Sequence, residues 1–379
     1  MKLPLPLGEG RGEGFADEQV GELPYSSGVA RVRRKTNMVG RLPLSPHPNP
    51  LPKGEGVEGL KFVGHLRRLL SPTGDAGDAV FRALMFGSAL LLLVIVGSMI
   101  IALASHSTLS IRQFGFGFLT GREWNPVKGQ FGALAFIYGT VASSLIALLI
   151  SVPLSLGIAV FLVEQAPPFL SRPITFLVEL LAAIPSVVYG LWGIFVLAPF
   201  LRVHVEPPLA RWFGWAPLFQ GTITGIGLLT GGVILAIMVT PIISAVVRDV
   251  LSAVPNTQRE AALALGATKW ETTLVVLGNG APGIAGAVIL GLGRAIGETM
   301  AVTMVIGNRP EISASLFKPS YTLASVIANE FTEATADIYL SSLVELGLIL
   351  FLVTFVVNAI ARLLVWRVTR QTAGVGMAA

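Results

Sequence analysis

The chain has 379 residues, of which 53% are hydrophobic and only 13% are charged, with a net charge of +5 and no cysteine. Soluble domains carry about 25% charged residues, so this composition excludes an ordinary soluble protein and indicates a membrane protein. The lack of cysteine in the sequence excludes disulfides and cysteine-bound metals. Basic residues beside apolar segments account for the net charge, so no nucleic-acid partner is expected.

The N-terminal residues 1–60 are rich in proline, glycine and charge and have no helical or strand period. Such a segment cannot bury enough apolar surface to offset the loss of conformational entropy on folding. We therefore expect a disordered or non-native extension there, then a cytoplasmic lead-in over residues 61–80. A transmembrane domain is expected over residues 81–370 and a cytoplasmic tail over residues 371–379.

Six apolar segments follow the lead-in, and each is long enough to cross a hydrocarbon core of about 30 Å as a helix. Their flanking charges, by the positive-inside rule, predict that both termini are cytoplasmic. The sequence thus predicts an all-α membrane protein with six transmembrane helices. The predicted spans are Phe81–Ala104, Ala133–Leu162, Ile174–Leu201 (interrupted by Pro185), Thr222–Val247, Gly283–Gly307 and Leu340–Ile360.

A polar loop over residues 251–282 joins the fourth and fifth spans and is the longest connection on the predicted cytoplasmic side. Thr257 with Glu260, and Thr268 with Glu271, each have the spacing of a capping box. Gly266 lies between them, where a left-handed residue ends a helix. These signals predict two short helices joined by a turn. Capping alone leaves open whether the loop is a docking surface or only a connection.

The fifth predicted span contains Arg294 and, four residues later, Glu298. One helix would place both side chains on the same face, near the middle of the bilayer. Charges at that depth face the interior of the bundle or a water-filled path. The planar guanidinium suits bidentate binding of an oxyanion. We therefore expect Arg294 to contact the substrate and Glu298 to neutralise Arg294 when the path is empty; the alternative is a pair that only fixes helix packing.

Other motifs do not indicate an enzyme or a metal site. Gly291, Gly293 and Gly297 lack the spacing of a dinucleotide-binding loop, and Gly293 with Gly297 indicates a helix-packing face. No phosphate-binding-loop motif occurs in the sequence, and the four histidines are scattered. Glu179 falls about five residues into the predicted third span, where an interfacial position is expected.

The sequence EAALALG followed by TKWE resembles the EAA loop of ABC-importer permeases, although Gly278 and Asn279 stand where that family usually has a Leu-Pro pair. The segments ELLAAIPSVVYGLWG, GLGRAIGETMAVTMVIGN and SLVELGLILF are similar to the PstC-type permeases of bacterial phosphate importers. This resemblance covers approximately residues 74–370. It implies the type I ABC-importer permease fold, an inner-membrane location, and phosphate as the substrate.

The resemblance also implies partners and roles. We expect a heterodimer with a homologous second permease subunit, two cytoplasmic ATPase subunits that carry ATP and Mg, and a periplasmic phosphate-binding protein. The chain itself is expected to bind no cofactor and to catalyse no reaction. In addition to the substrate-path pair Arg294 and Glu298, the residues expected to couple the chain to the ATPase are Glu260, Ala261, Ala262, Gly266, Thr268, Trp270 and Glu271.

Two alternatives stay open from the residues alone. An arginine binds many oxyanions, so a permease for molybdate or sulfate would present the same pair. A membrane-embedded enzyme is the other class, but the sequence offers no nucleophile–base pair, metal cluster or cofactor motif for it.

Overall fold

The computed structural model describes residues 76–375, with side chains described as far as residue 367. The predictions for residues 1–60, for most of the lead-in and for residues 376–379 of the tail lie outside this range.

The described residues fold into helices, with no β-strand among them. Two of the helices end or continue in π-helical turns. In chain order the helices are α1 (Ala76–His106), α2 (Thr108–Phe114), α3 (Gly117–Thr120), α4 (Leu134–Gln165), α5 (Pro168–Ala183), α6 (Ser186–Phe213), α7 (Leu228–Ser252), α8 (Asn256–Ala264), α9 (Lys269–Ile296), α10 (Met300–Val305), α11 (Leu323–Glu330) and α12 (Asp337–Val375).

Six of these helices are long and apolar enough to cross a membrane, namely α1, α4, α6, α7, α9 and α12. The prediction of an all-α membrane protein with six spans is therefore confirmed. The chain is a multi-pass membrane protein.

The spans α4 and α7 run parallel to each other. Gly232 of α7 lies against Ile146 of α4, and the Ser155 hydroxyl donates to the carbonyl oxygen of Thr240 at 3.0 Å. The two contacts join residues that are 86 and 85 positions apart in sequence, and such a nearly constant separation is what parallel helices require. The third span, which comes between them in the chain, must therefore cross in the opposite direction.

The span α9 runs antiparallel to α7. At its middle, Gly283 lies against Val250, and further along Gly291 lies against Ile243. The last span is likewise antiparallel to the first, because Ser341 donates to the carbonyl oxygen of His106 at 2.9 Å and Gly347 lies near Leu103. The start of α1, the loop between α7 and α9, and the end of α12 thus share one side of the molecule. That this side is cytoplasmic stays a prediction.

The third span is broken in two. The sequence predicts a span over Ile174–Leu201 that Pro185 interrupts, and the structure ends α5 at Ala183 and begins α6 at Ser186. Pro185 causes the break, because proline lacks a donor N–H and disfavours a helical residue before it. The helix then continues to Phe213, beyond the predicted end.

Both halves of the third span lie along α7. Glu179 of α5 pairs with Arg248, near the end of α7, at 3.0 Å. Gly193 of α6 lies against Ile234, near the start of α7. The break at Pro185 therefore falls about halfway along α7. Glu179 lies well inside α5 but is more than half exposed.

The centre of the bundle is α7, the most deeply buried of the six spans. Small residues allow its neighbours to approach closely, as Gly232 and Gly291 do. By contrast, the most apolar part of α1 has no buried residue. The main hydrophobic core is formed by α4, α7 and α9 and includes Ala147, Leu235, Val239, Ile243, Val247, Val276, Ala287 and Ala295.

Candidate functional site

The fifth span is also broken, and the break carries the predicted charged pair. The sequence predicts one helix over Gly283–Gly307, whereas α9 begins at Lys269, ends at Ile296 and is followed by the separate helix α10. Arg294 therefore lies in the last turn of α9 and Glu298 lies beyond its end. The prediction that both residues share one helix is wrong.

The break lies level with the middle of α7. A Cβ atom on Gly291 would come within 2.6 Å of Ile243 Cδ1 and 2.8 Å of Val239 Cγ1, so glycine is needed for this contact. Arg294 follows three residues later, about 4.5 Å further along the helix axis. It is thus near the depth at which Pro185 breaks the third span.

The helices that follow the two breaks pack against each other. A Cβ on Gly190 of α6 would lie 3.1 Å from the Cα of Ala301 in α10 and 3.3 Å from Met304 Cγ. Only glycine permits this close backbone approach. Two discontinuous helices therefore meet at mid-depth, an arrangement that membrane transporters use to handle ions and charged substrates.

Arg294 and Glu298 form an ion pair despite the break, with Nη2 and Oε2 3.0 Å apart. The other carboxylate oxygen of Glu298 accepts a hydrogen bond from the backbone N–H of Ala301, in the first turn of α10, at 3.3 Å. A carboxylate at a helix N-terminus and a cation at a helix C-terminus both interact favourably with the helix dipoles. The pair therefore joins the two helix ends electrostatically.

The two members of the pair differ in exposure. The Glu298 side chain is 3% exposed, whereas that of Arg294 is 46% exposed. Among the described residues, Arg294 has no hydrogen-bond or ion-pair partner other than Glu298. Several N–H groups of the guanidinium are therefore free to bind an oxyanion.

Arg294 belongs to a face of α9 that no part of the described chain covers. Exposed residues recur every four positions along this face, and Leu290 is 59% exposed. A Cβ added to Gly278 or Gly286 would meet no atom within 4 Å. An apolar and glycine-rich face of this length is typical of a helix that packs against another subunit.

The loop between α7 and α9 begins with the short helix α8, whose cap differs from the prediction. The helix starts at Asn256 with Pro255 in the capping position, and no side chain caps it. Thr257 is already inside the first turn, so its hydroxyl cannot cap that turn. The predicted capping box of Thr257 and Glu260 is wrong, because Pro255 begins the helix two residues earlier.

The second capping box is present. Thr268 Oγ1 accepts a hydrogen bond from the Glu271 backbone N–H at 3.3 Å, and Glu271 Oε2 accepts one from the Thr268 backbone N–H at 2.7 Å. Gly266 ends the preceding turn with a φ of +86°. The sequence predicts a short helix after this box, and this prediction is wrong. The box begins the 28-residue α9, which leads directly to Arg294.

The predicted coupling residues lie together on α8 and the start of α9, and most of them are exposed. Leu265 is 90% exposed and Trp270 is 61% exposed, although both lie beside the loop and not in the middle of an apolar span. Such apolar exposure marks an interaction surface. Exposed members of the predicted set are Glu260, Ala261, Gly266, Thr268, Trp270 and Glu271, and Ala262 is partly buried.

An ion pair that the sequence did not predict holds this loop to the spans. Arg259 Nη2 lies 2.8 Å from Glu164 Oε1, and both side chains are mostly buried. The Arg259 guanidinium also donates to the carbonyl oxygens of Val254 and Leu251, at 2.7 and 2.9 Å. The two charged residues are far apart in sequence, so only the fold could bring them together.

A second contact fixes α8 to α9. The Asn279 side-chain amide donates to Gln258 Oε1 at 2.7 Å. This bond connects the two helices across the turn at Gly266. The helix α9 continues through Asn279 and past Pro282 without a break.

The described residues contain no cluster of His, Asp and Glu that could hold a metal ion. The candidate site therefore consists of the charged helix break and the loop at the far end of α9.

Comparison with known proteins identifies the family. Residues 151–370 match the family model described as the binding-protein-dependent transport system inner membrane component. This match includes the loop and the charged break.

Curated relatives extend over most of the chain. A protein of Mesorhizobium japonicum named "Phosphate transport system permease protein PstC" is 53% identical to this chain. The match covers 78% of this chain and 92% of that protein. The Pasteurella multocida protein of the same name is 47% identical over 78% and 93%. Among solved structures, a chain of an inward-facing MetNI methionine ABC transporter is 20% identical, covers 63% of this chain and 98% of its own length, and has a TM-score of 0.46.

The capping box at the start of α9 leads to a testable prediction. Thr268→Ala removes a cap that contributes about 1 kcal/mol, so the first turn of α9 should open more often. Hydrogen exchange of the backbone amides at the start of α9 should then become about fivefold faster. Thr257→Ala is the matched control and should leave exchange in α8 unchanged. Equal effects of the two substitutions would contradict the assigned caps.

Proposed function

Because this chain belongs to the family of binding-protein-dependent transport system inner membrane components and to its PstC-type phosphate permeases, we propose that it moves inorganic phosphate through the membrane. It does so as the permease subunit of an ATP-driven importer of type I. The main support for phosphate as the substrate is the 53% identity over 300 residues to a protein named as a phosphate transport permease.

The charged break supports an anionic substrate. Arg294 offers free N–H groups beside a path at mid-depth, and a guanidinium binds phosphate oxygens through two parallel hydrogen bonds. The buried carboxylate of Glu298 neutralises Arg294 when no anion is bound. A phosphate that approaches Arg294 competes with this carboxylate, so binding is reversible rather than tight.

Molybdate or sulfate is the second candidate substrate. The geometry at Arg294 suits any tetrahedral oxyanion, and so the break alone does not select phosphate. The names of the relatives favour phosphate.

The uncovered face of α9 supports a second permease subunit as partner. A single set of six helices leaves Leu290 and Arg294 exposed, and a homologous subunit opposite this face would enclose the path between the two chains. The exposed apolar surface of α1 fits lipid.

The loop at the other end of α9 supports a docking site for cytoplasmic ATPase subunits. Its exposed side chains include Leu265 and Trp270, and Glu260 lies on the same short helix as the exposed Leu263. Two such ATPases would hold ATP and Mg, since this chain needs neither for its own part. A periplasmic phosphate-binding protein would deliver the substrate on the opposite side, which places the importer in the bacterial cytoplasmic membrane.

The course of α9 supports mechanical coupling. One helix of 28 residues, about 42 Å long, connects the Thr268 cap to Arg294 without interruption. Closure of the ATPases around ATP would move the loop. The same helix would then shift the charged break between inward-open and outward-open arrangements.

The proposed substrate is tested by uptake into proteoliposomes that contain the complete importer. Labelled phosphate should accumulate only when ATP is present on the side of the membrane that the ATPase subunits face. Unlabelled phosphate should compete strongly with the labelled phosphate for uptake. Sulfate and molybdate at equal concentration should compete at least tenfold less well. Stronger competition by molybdate or sulfate than by phosphate would contradict phosphate as the substrate.

The role of Arg294 is tested by Arg294→Lys, which keeps the charge but removes the planar fork. Phosphate uptake should fall at least tenfold, while the variant still assembles with its ATPase. Arg211→Lys, at an exposed arginine near the end of α6, is the matched control and should transport normally. Full uptake by Arg294→Lys would remove the phosphate contact from the mechanism.

A further inference from the structure

We propose that the Arg259–Glu164 ion pair is the joint through which movement of the docking helix α8 reaches the span α4. Arg259 and Glu164 are thus positioning residues that act on the transport path through the helices they join. This inference rests on the proposed function, since it assumes that an ATPase moves α8.

All three nitrogen atoms of the Arg259 guanidinium donate hydrogen bonds within the chain. Its Nε and Nη2 atoms both donate to Glu164 Oε1, at 3.1 and 2.8 Å. Nη1 donates to the Val254 carbonyl and to Asn256 Oδ1, and Nη2 also donates to the Leu251 carbonyl. A lysine could not make all these bonds at once, because its ammonium lacks the planar fork.

These bonds connect three separate elements. Arg259 belongs to α8, Leu251 lies in the last turn of α7, and Glu164 lies in the π-helical turn that ends α4. The Leu251 carbonyl also accepts a hydrogen bond from the backbone N–H of Val254 at 3.3 Å, so the guanidinium adds a second bond at the end of α7. A displacement of Arg259 must therefore move the end of α4 or break buried hydrogen bonds.

Hydrophobic packing offers no equivalent connection. The docking helix α8 has no buried residue. Apart from the Arg259 bonds, the only other side-chain hydrogen bond from α8 to a different described helix is the one between Gln258 and Asn279, which leads to α9. The ion pair is therefore the polar connection from α8 to α4.

The surroundings of the pair allow movement while keeping the charges together. A cavity of about 420 Å³ lies beside it, lined in part by Leu263, Lys269 and Trp270. The Arg259 and Glu164 side chains are only 17% and 11% exposed, so separating them would leave a poorly solvated charge on each side. The pair should hence stay closed as α8 moves into or away from this space.

The test uses Glu164→Gln in the complete importer reconstituted in proteoliposomes. Glutamine keeps the shape and one acceptor oxygen but removes the charge, and Arg259 keeps its carbonyl partners. We expect the ATPase to co-purify as with the unchanged chain and to hydrolyse ATP. Phosphate uptake per ATP hydrolysed should fall roughly tenfold, since the joint no longer transmits movement.

Glu179→Gln is the matched control, because Glu179 forms a similar but exposed pair with Arg248. It should leave uptake per ATP unchanged. Arg259→Lys is a second variant that keeps the charge, and it should lower uptake per ATP less than Glu164→Gln does.

Three results would overturn the proposal. Unchanged uptake per ATP in Glu164→Gln would mean that the pair transmits nothing. Loss of the ATPase from the purified Glu164→Gln complex would mean that the pair is an assembly contact. Failure of both Glu164→Gln and Arg259→Lys to accumulate in the membrane would mean that the pair is needed for folding. Failure of the unchanged importer to transport phosphate would instead refute the proposed function, and so the two failures are distinguishable.

Discussion

The ion pair between Arg294 and Glu298 stabilises an interruption in a membrane-spanning helix, and the arrangement of the other parts follows from it. A helix that stops inside a bilayer exposes backbone N–H and C=O groups that no water can satisfy. Glu298 accepts the N–H of Ala301, and Arg294 lies at the end where unpaired carbonyls concentrate. The charges thus stabilise the break, and the break in turn keeps the guanidinium partly exposed at mid-depth.

The break needs close neighbours, and glycines provide them. Gly291 lets α9 approach α7, and Gly190 lets α6 approach α10. On the opposite face of α9, Gly278 and Gly286 meet nothing in this chain. The same helix therefore presents one packed face to its own bundle and one open face to a partner, with Arg294 at the open face.

Much of this could be predicted from the sequence. Apolar length predicted the six spans, the spacing of Thr268 and Glu271 predicted a capping box, and two charges four residues apart in an apolar segment predicted an ion pair. Local signals failed where proline competed with them. Pro255 starts α8 before Thr257 can cap it, whereas the interruption of the third span at Pro185 was predicted. Hydropathy also missed the true start of α9, because its first residues are polar although the helix is continuous. The Arg259–Glu164 contact had no sequence signal, since it depends on how α4, α7 and α8 meet.

In the proposed function, ATP-driven movement of the loop changes the access of the charged break to the two sides of the membrane. Gly297→Cys tests it directly: Gly297 is exposed, its nearest neighbour for an added Cβ is the Gly293 carbonyl at 3.5 Å, and the chain has no cysteine of its own. In the assembled importer, a charged thiol reagent should reach the introduced thiol from the cytoplasmic side without nucleotide, and from the opposite side when ATP is trapped. Reaction from the same side at the same rate in both states would contradict the account.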